Sequence, residues 1–315
     1  MNLVLVESSS YYPTLDDVKV CDIYKPVGRW LRLLRYIHHR TGLFRSLRSI
    51  WLGDWKRELG MFQNVAIFDS LLDDYPLLLL NQCNKHVFFC FRNRVQNPIA
   101  HSKLVRDPRM IKEKYKCELW SYNKEDCDYY TMNYYKQFHL IPREDVYIGS
   151  EIESDAFFIG WDKGRMPIIL DIYRKLCDLN LICDFRVIAE SESYSDEEKK
   201  LLSETISYKE VLQKVKSSRC VIDVVSDINR GLTYRSLEAA IFKKKLITNY
   251  SEIVNMDFYR PNNIFVWGKD NPNRLRDFIY TEYLETDSDI YKDYSFDSFC
   301  CSIFGKKEFK TGYNE

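Results

Sequence analysis

The sequence predicts an α/β fold with two domains, each built on a parallel sheet covered by helices. Short apolar runs that are typical of buried strands alternate with stretches of helical periodicity along both halves of the chain. The chain has 315 residues, of which 45% are hydrophobic and 29% charged. This composition is typical of a globular protein, and domains average about 100–200 residues. The length therefore suggests two domains, or one large one.

The first half contains four predicted strands, at residues 3–6, 65–68, 86–91 and 118–121, and helical stretches at 70–82 and 124–132. The apolar run at the N-terminus has no basic residues before it, so it is interpreted as a buried strand and not as a signal peptide. This order of elements favours a parallel sheet with helices on both faces.

The second half shows a cleaner β-α-β-α-β-α-β rhythm. Strands are predicted at 157–160, 183–189, 221–225 and 246–248, with helices near 211–215 and over 232–243. The helix after the first of these strands carries apolar residues at i, i+3, i+4, i+7 and i+10, namely Ile169, Ile172, Tyr173, Leu176 and Leu179. This rhythm is typical of a doubly wound nucleotide-binding unit.

The expected domain borders follow from a charged segment at 139–155 that contains Pro142 and Gly149 and is interpreted as a linker. One domain is assigned to residues 1–150 and a second to 151–282. Residues 283–315 form a tail, for which the sequence suggests a terminal helix that returns to the first domain.

Charge and cysteine content exclude several classes of protein. Lys plus Arg and Asp plus Glu both number 46, so the chain lacks the basic excess of a nucleic-acid-binding protein. None of the ten cysteines forms a C-x-x-C pair, and several lie in apolar runs, which indicates buried free thiols and a reducing compartment. No apolar stretch approaches the roughly 18 residues of a membrane-spanning helix.

The most informative motif follows the strand that ends near residue 225. Gly231, Leu232 and Thr233 open a predicted helix, and their N–H groups would face an anion at its positive end. Thr233 adds a hydroxyl and Arg235 a planar guanidinium suited to phosphate. Glu238 lies two turns further on, where a carboxylate can accept ribose hydroxyls. The alternative is a capped helix with a surface Arg–Glu pair.

A second loop, residues 158–165, follows the strand that opens the second half. Gly160 and Gly164 loosen the turn, while Lys163 and Arg165 place cations beside a helix start. Ligands of open α/β sheets collect at the carboxyl ends of strands, where both loops are expected. The alternative is a solvated turn, and neither the Walker A nor the G-x-G-x-x-G pattern is present.

These residues resemble a known family. Residues 158–165, 231–235 with Glu238 and Ala239, 244–249 and 258–265 resemble the C-terminal half of bacterial surface-polysaccharide glycosyltransferases of the GT-B type. Residues 94–98 and 119–127 of the first half add to the resemblance, which covers about two-thirds of the chain. Such proteins take part in lipopolysaccharide and capsule biosynthesis.

The resemblance implies two Rossmann-like domains facing a cleft, with a nucleotide-sugar donor held by the second domain and an acceptor by the first. Gly231, Thr233 and Arg235 would bind the diphosphate, and Glu238 the ribose or sugar. The sequence departs from comparable loops at Asn229 and Arg230. Asn229 can donate to a sugar or phosphate, whereas Arg230 either adds a charge or blocks the pocket.

The expected chemistry needs no metal and no cofactor beyond the nucleotide-sugar substrate, because cations and helix N-termini can stabilise a leaving diphosphate. The two D-x-D triplets, Asp126–Asp128 and Asp287–Asp289, fall in a predicted helix and in the tail, and not at the ends of strands. Other acidic residues are interpreted as loop or helix-cap residues, namely Asp16, Asp17, Asp69, Asp73 and Asp74.

An inverting transferase also needs a general base. Two candidates are Glu7, which ends the first strand, and His101, which follows the turn at Asn97 and Pro98. For His101, a solvated loop histidine is the plainer interpretation.

Residues 25–53 contain seven basic residues and no acidic one. Val27, Trp30, Leu31, Leu34 and Ile37 are expected on one helical face, with Arg29, Arg32 and Arg35 off it. The patch of Arg29, Trp30, Arg32 and Arg35 is typical of an interfacial membrane anchor. It is equally compatible with an ordinary surface helix, or with binding of an acceptor's pyrophosphate.

The sequence thus favours a cytoplasmic glycosyltransferase, peripheral on the inner face of the cytoplasmic membrane, that transfers a sugar from a nucleotide donor to a lipid-linked oligosaccharide. The alternative from another class is a non-catalytic module that binds a nucleotide sugar or a polysaccharide. A sugar-nucleotide epimerase is a third possibility, disfavoured because no His–Glu cluster is apparent.

Overall fold

The computed structural model of the protein describes residues 1–95, 107–146, 149–191, 193–226, 231–287 and 289–305, apart from the side chain of His39. This part of the chain divides into two compact units. The first contains Met1–Lys136 together with the chain from Phe296 onward, and the second is Gln137–Ser295. The division after Lys136 lies upstream of the border at 150 drawn from the sequence, so the expected linker belongs to the second unit.

The first unit is built on a parallel sheet. Its strands are β1 (Asn2–Val6), β2 (Val18–Asp22), β3 (Asn64–Phe68), β4 (His86–Phe91), β5 (Glu118–Ser121) and β6 (Asn133–Tyr134). Their order within the described residues is β2-β1-β3-β4-β5-β6, and every pairing is parallel. The four predicted strands are confirmed. The edge strand β2 was not predicted, because its apolar residues alternate with Lys19 and Asp22 and leave only a weak signal.

Helices cover this sheet. They are α1 (Arg29–Thr41), α2 (Arg48–Trp51), α3 (Tyr75–Gln82), α4 (Pro108–Tyr115) and α5 (Lys124–Tyr130). Helix α3 begins later than the predicted residue 70, because the Asp73 carboxylate accepts the N–H of Tyr75 and Pro76 occupies the first turn. The Asn123 side chain caps α5 by accepting the N–H of Asp126.

The second unit contains a second parallel sheet. Its strands are β7 (Ser154–Trp161), β8 (Cys183–Ile188), β9 (Ser218–Asp223), β10 (Lys245–Thr248) and β11 (Ile264–Val266). Among the described residues their order is β11-β10-β9-β7-β8. The fold class predicted from the sequence, two α/β domains with parallel sheets, is confirmed.

The helices of the second unit are α6 (Arg143–Val146), α7 (Met166–Asp178), α8 (Asp196–Lys199), α9 (Tyr208–Lys216), α10 (Tyr234–Ile241), α11 (Leu275–Tyr280) and α12 (Ile290–Asp293). The predicted apolar stripe of α7 is largely buried: Ile169, Ile172 and Leu176 are fully enclosed. A capping box between Ser207 and Glu210 starts α9.

A last helix, α13 (Phe296–Phe304), belongs to the first unit. Phe299 is 2% exposed and stacks on Phe68, with ring centroids 5.5 Å apart. It also meets the Tyr135 ring edge-on, with centroids 5.1 Å apart. The chain therefore returns to cover the first sheet with an aromatic helix after completing the second unit.

All ten cysteines are free, and several are buried, including Cys90 and Cys220. Burial raises the pKa of both thiols, which keeps them neutral. The prediction of buried free thiols is confirmed for these two. None of the helices in the described ranges combines the length and apolar character needed to cross a membrane.

Candidate functional site

The second sheet changes its direction of winding between β7 and β9. The chain passes from β7 to β8 on one side, and then to β9 on the other side of β7. Such a switch point leaves a crevice outside the carboxyl ends of the two strands, and ligands of open α/β sheets bind there. Here those ends are Trp161 of β7 and Asp223 of β9.

Arg165 joins the two strand ends at this switch point. Its Nη1 donates to the carbonyl oxygen of Val224, which follows β9, and its Nη2 donates to that of Trp161. Its Nε donates to the carbonyl oxygen of Asp162 at 3.1 Å. A guanidinium has five N–H groups, so these three bonds, made within the described residues, leave two donors for an anion.

The backbone around Arg165 makes room for its guanidinium. A Cβ atom at Gly160 would lie 3.2 Å from Arg165 Nη2, so glycine permits this position. Lys163 and Gly164 both adopt positive φ, at 47° and 72°, which turns the chain sharply between β7 and α7. The Lys163 side chain is exposed, and its backbone N–H donates to Glu190 Oε2 at 2.8 Å.

Asp162 anchors this loop, a role that the sequence analysis did not assign. One carboxylate oxygen accepts the N–H of Met166 at 2.9 Å, and the other accepts the Tyr194 hydroxyl at 3.0 Å. Burial lowers the pKa of Arg165, whereas the charges of Asp223 and Asp162 oppose that change. The sequence signal for this role was the position of Asp162, four residues before Met166, the first residue of α7, whose N–H the carboxylate accepts.

The start of α10 differs from the prediction. The helix begins at Tyr234 and not near Leu232, because the Thr233 side chain is its N-cap and accepts the N–H of Ser236 at 3.2 Å. The Thr233 hydroxyl donates to Asp223 Oδ2 at 2.6 Å, and Ser236 Oγ donates to the same oxygen at 2.7 Å. Gly231 and Leu232 are buried residues before the helix, and not its first turn.

Arg235 and Glu238 form an ion pair within α10. Glu238 is 1% exposed, and burial raises the pKa of its carboxyl group, while Arg235 and a hydrogen bond from Tyr208 oppose the rise. This i, i+3 pair is the one expected from the alternative interpretation, a capped helix with a surface Arg–Glu pair. The Glu238 side chain is buried, however, so the pair does not lie on the surface. The diphosphate contact of Arg235 and the ribose contact of Glu238 stay predictions.

Other candidates from the sequence are distributed as follows. Asn229, Arg230 and His101 lie outside the described residues. Glu7 follows β1, and its side chain, 75% exposed, forms an ion pair with Arg92 at 3.5 Å. Its role as a base is not tested by this arrangement.

The two D-x-D triplets serve structural contacts. Asp126 is buried in α5 and lies 3.6 Å from Arg94. Asp287 pairs with Arg260, and Asp289 caps α12. Among the residues that the structure describes, no group of three or more His, Cys, Asp or Glu side chains is arranged to hold a metal ion. Independence from metal ions stays a prediction.

The predicted apolar face of α1 needs a correction. Leu31, Leu34 and Ile37 are half-buried, but Trp30 is 78% exposed and projects outward with Leu33 and Tyr36. Trp30 lies in the first helical turn, where tertiary packing does not cover it. Arg29 and Arg32 are exposed, whereas Arg35 is half-buried near Tyr24.

Asp69 was interpreted as a loop or helix-cap residue, and it does lie in the loop between β3 and α3. It directly follows β3 and is 2% exposed. Its neighbours Asp73 and Asp74 do serve loop and helix-start contacts, the latter with Arg48, Lys114 and Tyr115.

Comparisons with known proteins give only a distant likeness of fold. No protein-family model matches the chain, and no curated protein sequence matches it. Solved structures that resemble it include LpCGTa in complex with UDP, with a TM-score of 0.41, 9% identity, and coverage of 89% of this chain and 90% of that one.

Two further structures resemble the chain to a similar degree. A variant of Os79 from O. sativa in complex with UDP has a TM-score of 0.40 at 11% identity, covering 93% of this chain and 86% of that one. The spinosyn forosaminyltransferase SpnP has a TM-score of 0.36 at 7% identity, covering 88% and 80%. Likenesses of this size assign no activity to the chain.

Proposed function

We propose that the protein is a glycosyltransferase that uses a nucleotide-sugar donor, and that its second unit binds the donor's diphosphate at the carboxyl edge of the second sheet. The observation that carries this proposal is the position of Arg165. Its cation joins the ends of β7 and β9 at the switch point and retains two N–H donors. A planar charged fork of this kind suits a phosphate group.

The same edge offers further stabilisation for a leaving diphosphate. Sugar transfer breaks the bond between the anomeric carbon and the diphosphate oxygen, which leaves with the electron pair. The acceptor oxygen bonds to that carbon, and its hydroxyl proton passes to a general base, for which the candidates are Glu7 and His101. Negative charge therefore develops on the diphosphate, where preorganised cations are most effective. Arg165, the exposed Lys163 and the positive N-terminus of α10 are the groups that we assign to this task. The reaction is proposed to need no metal ion.

We further propose that the acceptor is a lipid-linked oligosaccharide and that the protein works at the inner face of the cytoplasmic membrane, in bacterial surface-polysaccharide biosynthesis. Support comes from α1, which exposes Trp30, Leu33 and Tyr36 beside the cations Arg29 and Arg32. Aromatic and apolar side chains flanked by arginine are typical of helices that lie in an anionic membrane surface.

The donor site is tested by thermal unfolding of the full chain with UDP, GDP, CDP and dTDP. A ligand at about a hundredfold excess over its Kd stabilises the folded protein by about 2.7 kcal/mol. Arg165→Lys keeps the charge but loses the fork, so affinity should fall at least about tenfold, since a hydrogen bond to a charged group contributes about 1.5–3 kcal/mol.

Arg276→Lys is the matched control. Arg276 also donates to a backbone carbonyl, that of Leu179, but it is exposed on α11. It should bind the nucleotide as the wild type does. The proposal is refuted if none of the four nucleotides shifts the unfolding temperature, or if Arg165→Lys binds as tightly as Arg276→Lys.

Turnover separates an enzyme from a binding module. Incubation with the matching nucleotide sugar and membrane lipid extract should release the nucleoside diphosphate, and Arg165→Lys should release it more slowly. Tight nucleotide binding without any release would assign the chain to the non-catalytic class instead.

A further inference from the structure

A cavity of about 510 Å³ lies among the helices of the first unit. Its walls come from the end of α1 and the chain after it, from the start of α3 with the loop before it, and from the end of α4. Among the described residues that line it, none ends a strand, so the cavity is not built on the carboxyl edge of the first sheet. Its volume is within the range of roughly 300–1,000 Å³ that is usual for small-molecule sites.

The walls of this cavity carry a net positive charge. Three cations line it, namely Arg45, Arg48 and Lys114. Arg48 Nη1 and Lys114 Nζ both donate to the carboxylate of Asp74, at 3.2 and 3.1 Å. One carboxylate therefore serves two cations, while no ion pair of Arg45 occurs within the described ranges. Even when the carboxylate of Asp73 is counted, three cations face two carboxylates, which favours an anionic ligand.

Arg48 is held in a fixed position and keeps unused donors. Its Nε donates to the carbonyl oxygen of Arg45 at 3.2 Å, and its guanidinium lies over the Tyr75 ring, 4.7 Å from the centroid. A guanidinium has five N–H groups, so this bond and the bond to the carboxylate, both made within the described residues, leave three. The side chain is 20% exposed. A preorganised fork of this kind suits the oxygens of a phosphate group.

The two carboxylates place acceptors beside these cations. Asp73 Oδ1 accepts the N–H of Tyr75 at 2.9 Å, and Asp74 Oδ2 accepts the Tyr115 hydroxyl at 2.8 Å. Burial acts to raise the pKa of Asp74, but the hydrogen bonds from Tyr115 and Lys114 outweigh it and lower that pKa. An ionised carboxylate has about four lone-pair sites, so each can accept a further hydroxyl. A ligand with both a phosphate and hydroxyl groups therefore matches the walls better than a bare phosphate.

The turn at residues 42–45 borders the cavity at both of its ends and presents apolar side chains to solvent. Leu43 is 57% exposed and Phe44 is 40% exposed. Phe44 has a φ of 61°, a strained conformation that bulky residues rarely adopt. The buried His38 ring holds the turn, since its Nδ1 donates to the carbonyl oxygen of Leu43 and its Nε2 lies 3.3 Å from Asp73 Oδ2. The fold thus keeps an exposed aromatic side chain beside a cationic cavity at a cost in strain.

We propose that this cavity binds the headgroup of an anionic phospholipid, with the phosphodiester on the three cations and a headgroup hydroxyl on the two carboxylates. The apolar part of the lipid lies against Leu43 and Phe44, which a soluble phosphate ester would leave exposed to water. Phosphatidylglycerol has both the phosphodiester and the hydroxyl groups that the walls match. The site gives the proposed membrane location a specific lipid, and it does not depend on sugar transfer.

The first test is sedimentation of the full chain with phosphatidylcholine vesicles that contain equal fractions of either phosphatidylglycerol or phosphatidylserine. Both vesicles have the same surface charge, so attraction of exposed arginines alone would bind the chain equally to both. We expect binding about tenfold tighter to phosphatidylglycerol, because the ammonium group of phosphatidylserine would face the three cations. Equal binding to the two vesicles would overturn the proposal.

Arg48→Gln removes one cation of the cavity and should weaken binding to the phosphatidylglycerol vesicles at least about tenfold. Arg57→Gln is the matched control. It removes one positive charge from the same unit, at a side chain that is 75% exposed and does not line the cavity. This control should bind the vesicles as the wild type does. Equal affinities of the two variants would show that the cavity does not hold the headgroup.

Phe44→Gly keeps the proposal falsifiable if Arg48→Gln fails to fold. Glycine adopts a positive φ without strain, so this variant should unfold at the same temperature as the wild type or at a higher one. It should nevertheless bind the phosphatidylglycerol vesicles about tenfold more weakly, because an apolar contact with the lipid is lost. Undiminished vesicle binding would contradict the proposed seat of the lipid.

A soluble ester of the same chemistry separates the two sources of such a headgroup. In thermal unfolding, glycerophosphoglycerol should bind at least about tenfold more weakly than dihexanoyl phosphatidylglycerol, because it lacks the apolar part that contacts Leu43 and Phe44. Equal affinity would assign the cavity to a soluble phosphate ester and overturn the lipid assignment. These assays contain no nucleotide, so they succeed or fail independently of the donor site in the second unit.

Discussion

His139 should make the stability of the protein depend on pH. The ring is 3% exposed, and its Nδ1 accepts the N–H of Ile141 at 3.1 Å. The proton therefore sits on Nε2, which donates to the carbonyl oxygen of Tyr291 at 2.7 Å. A second proton would place a donor against that N–H in a buried position, and burial lowers the pKa of His139 to about 4.

The direction and size of the effect follow from linkage. In the unfolded chain the imidazole has its ordinary pKa of about 6.5. Between this pH and about pH 4 the unfolded chain therefore binds a proton at His139, whereas the ring stays neutral in the folded chain. Stability from the neutral ring is complete above about pH 6.5 and is lost as the pH falls toward 4. The whole difference corresponds to about 3 kcal/mol, of which about 2 kcal/mol is lost by about pH 5.

The assay compares urea unfolding of the wild type and His139→Gln at about pH 7 and pH 5. Glutamine can still donate to the Tyr291 carbonyl but does not titrate, and the other ionisable groups are common to both proteins. The wild type should lose about 2 kcal/mol more than the variant between the two pH values. Equal losses in both proteins, or an NMR titration of the His139 ring near pH 6.5, would refute this reasoning.

Three other perturbations have defined outcomes. Gly160→Ala should push the guanidinium of Arg165 aside and weaken nucleotide binding about tenfold, with a stability change under about 1 kcal/mol in urea unfolding. Phe299→Ala should lower the free energy of unfolding by about 3–5 kcal/mol, because it opens a cavity against the first sheet; a loss below about 1 kcal/mol would contradict the packing of α13. Replacing Arg29 and Arg32 together by Gln should weaken sedimentation with anionic vesicles about thirtyfold, at about 1 kcal/mol per arginine; vesicle binding that survives unchanged, or binding insensitive to salt, would argue against the membrane surface.

Local elements were predictable wherever one segment carried its own signal. Strands β4 and β5 were predicted to the residue, because each is a short run with apolar side chains between turn signals. The stripe of α7 was equally clear, since Ile169, Ile172 and Leu176 follow helical spacing and are buried together. These features depend on neighbours within a few residues, which a sequence displays directly.

The sequence was sufficient to identify the loops that form the candidate site, but not the contacts that their side chains make. The loop at 158–165 was identified from its glycines and cations, but nothing in it indicated that Arg165 would reach the carbonyl of Val224, 59 residues away. Likewise the sequence contained Thr233 and Asp223 without indicating that the hydroxyl binds that carboxylate and moves the start of α10. Strand pairing brings these partners together, and pairing is a long-range property.

The sequence by itself determined the alternation of strands and helices, and with it two parallel sheets whose carboxyl ends gather the polar loops. Only the tertiary structure decided that Asp69 would be buried at the end of β3, that Trp30 would face outward, and that Phe299 of α13 would stack on Phe68. Periodicity specifies which face of an element is apolar, but burial and hydrogen bonding depend on which distant segment covers that face.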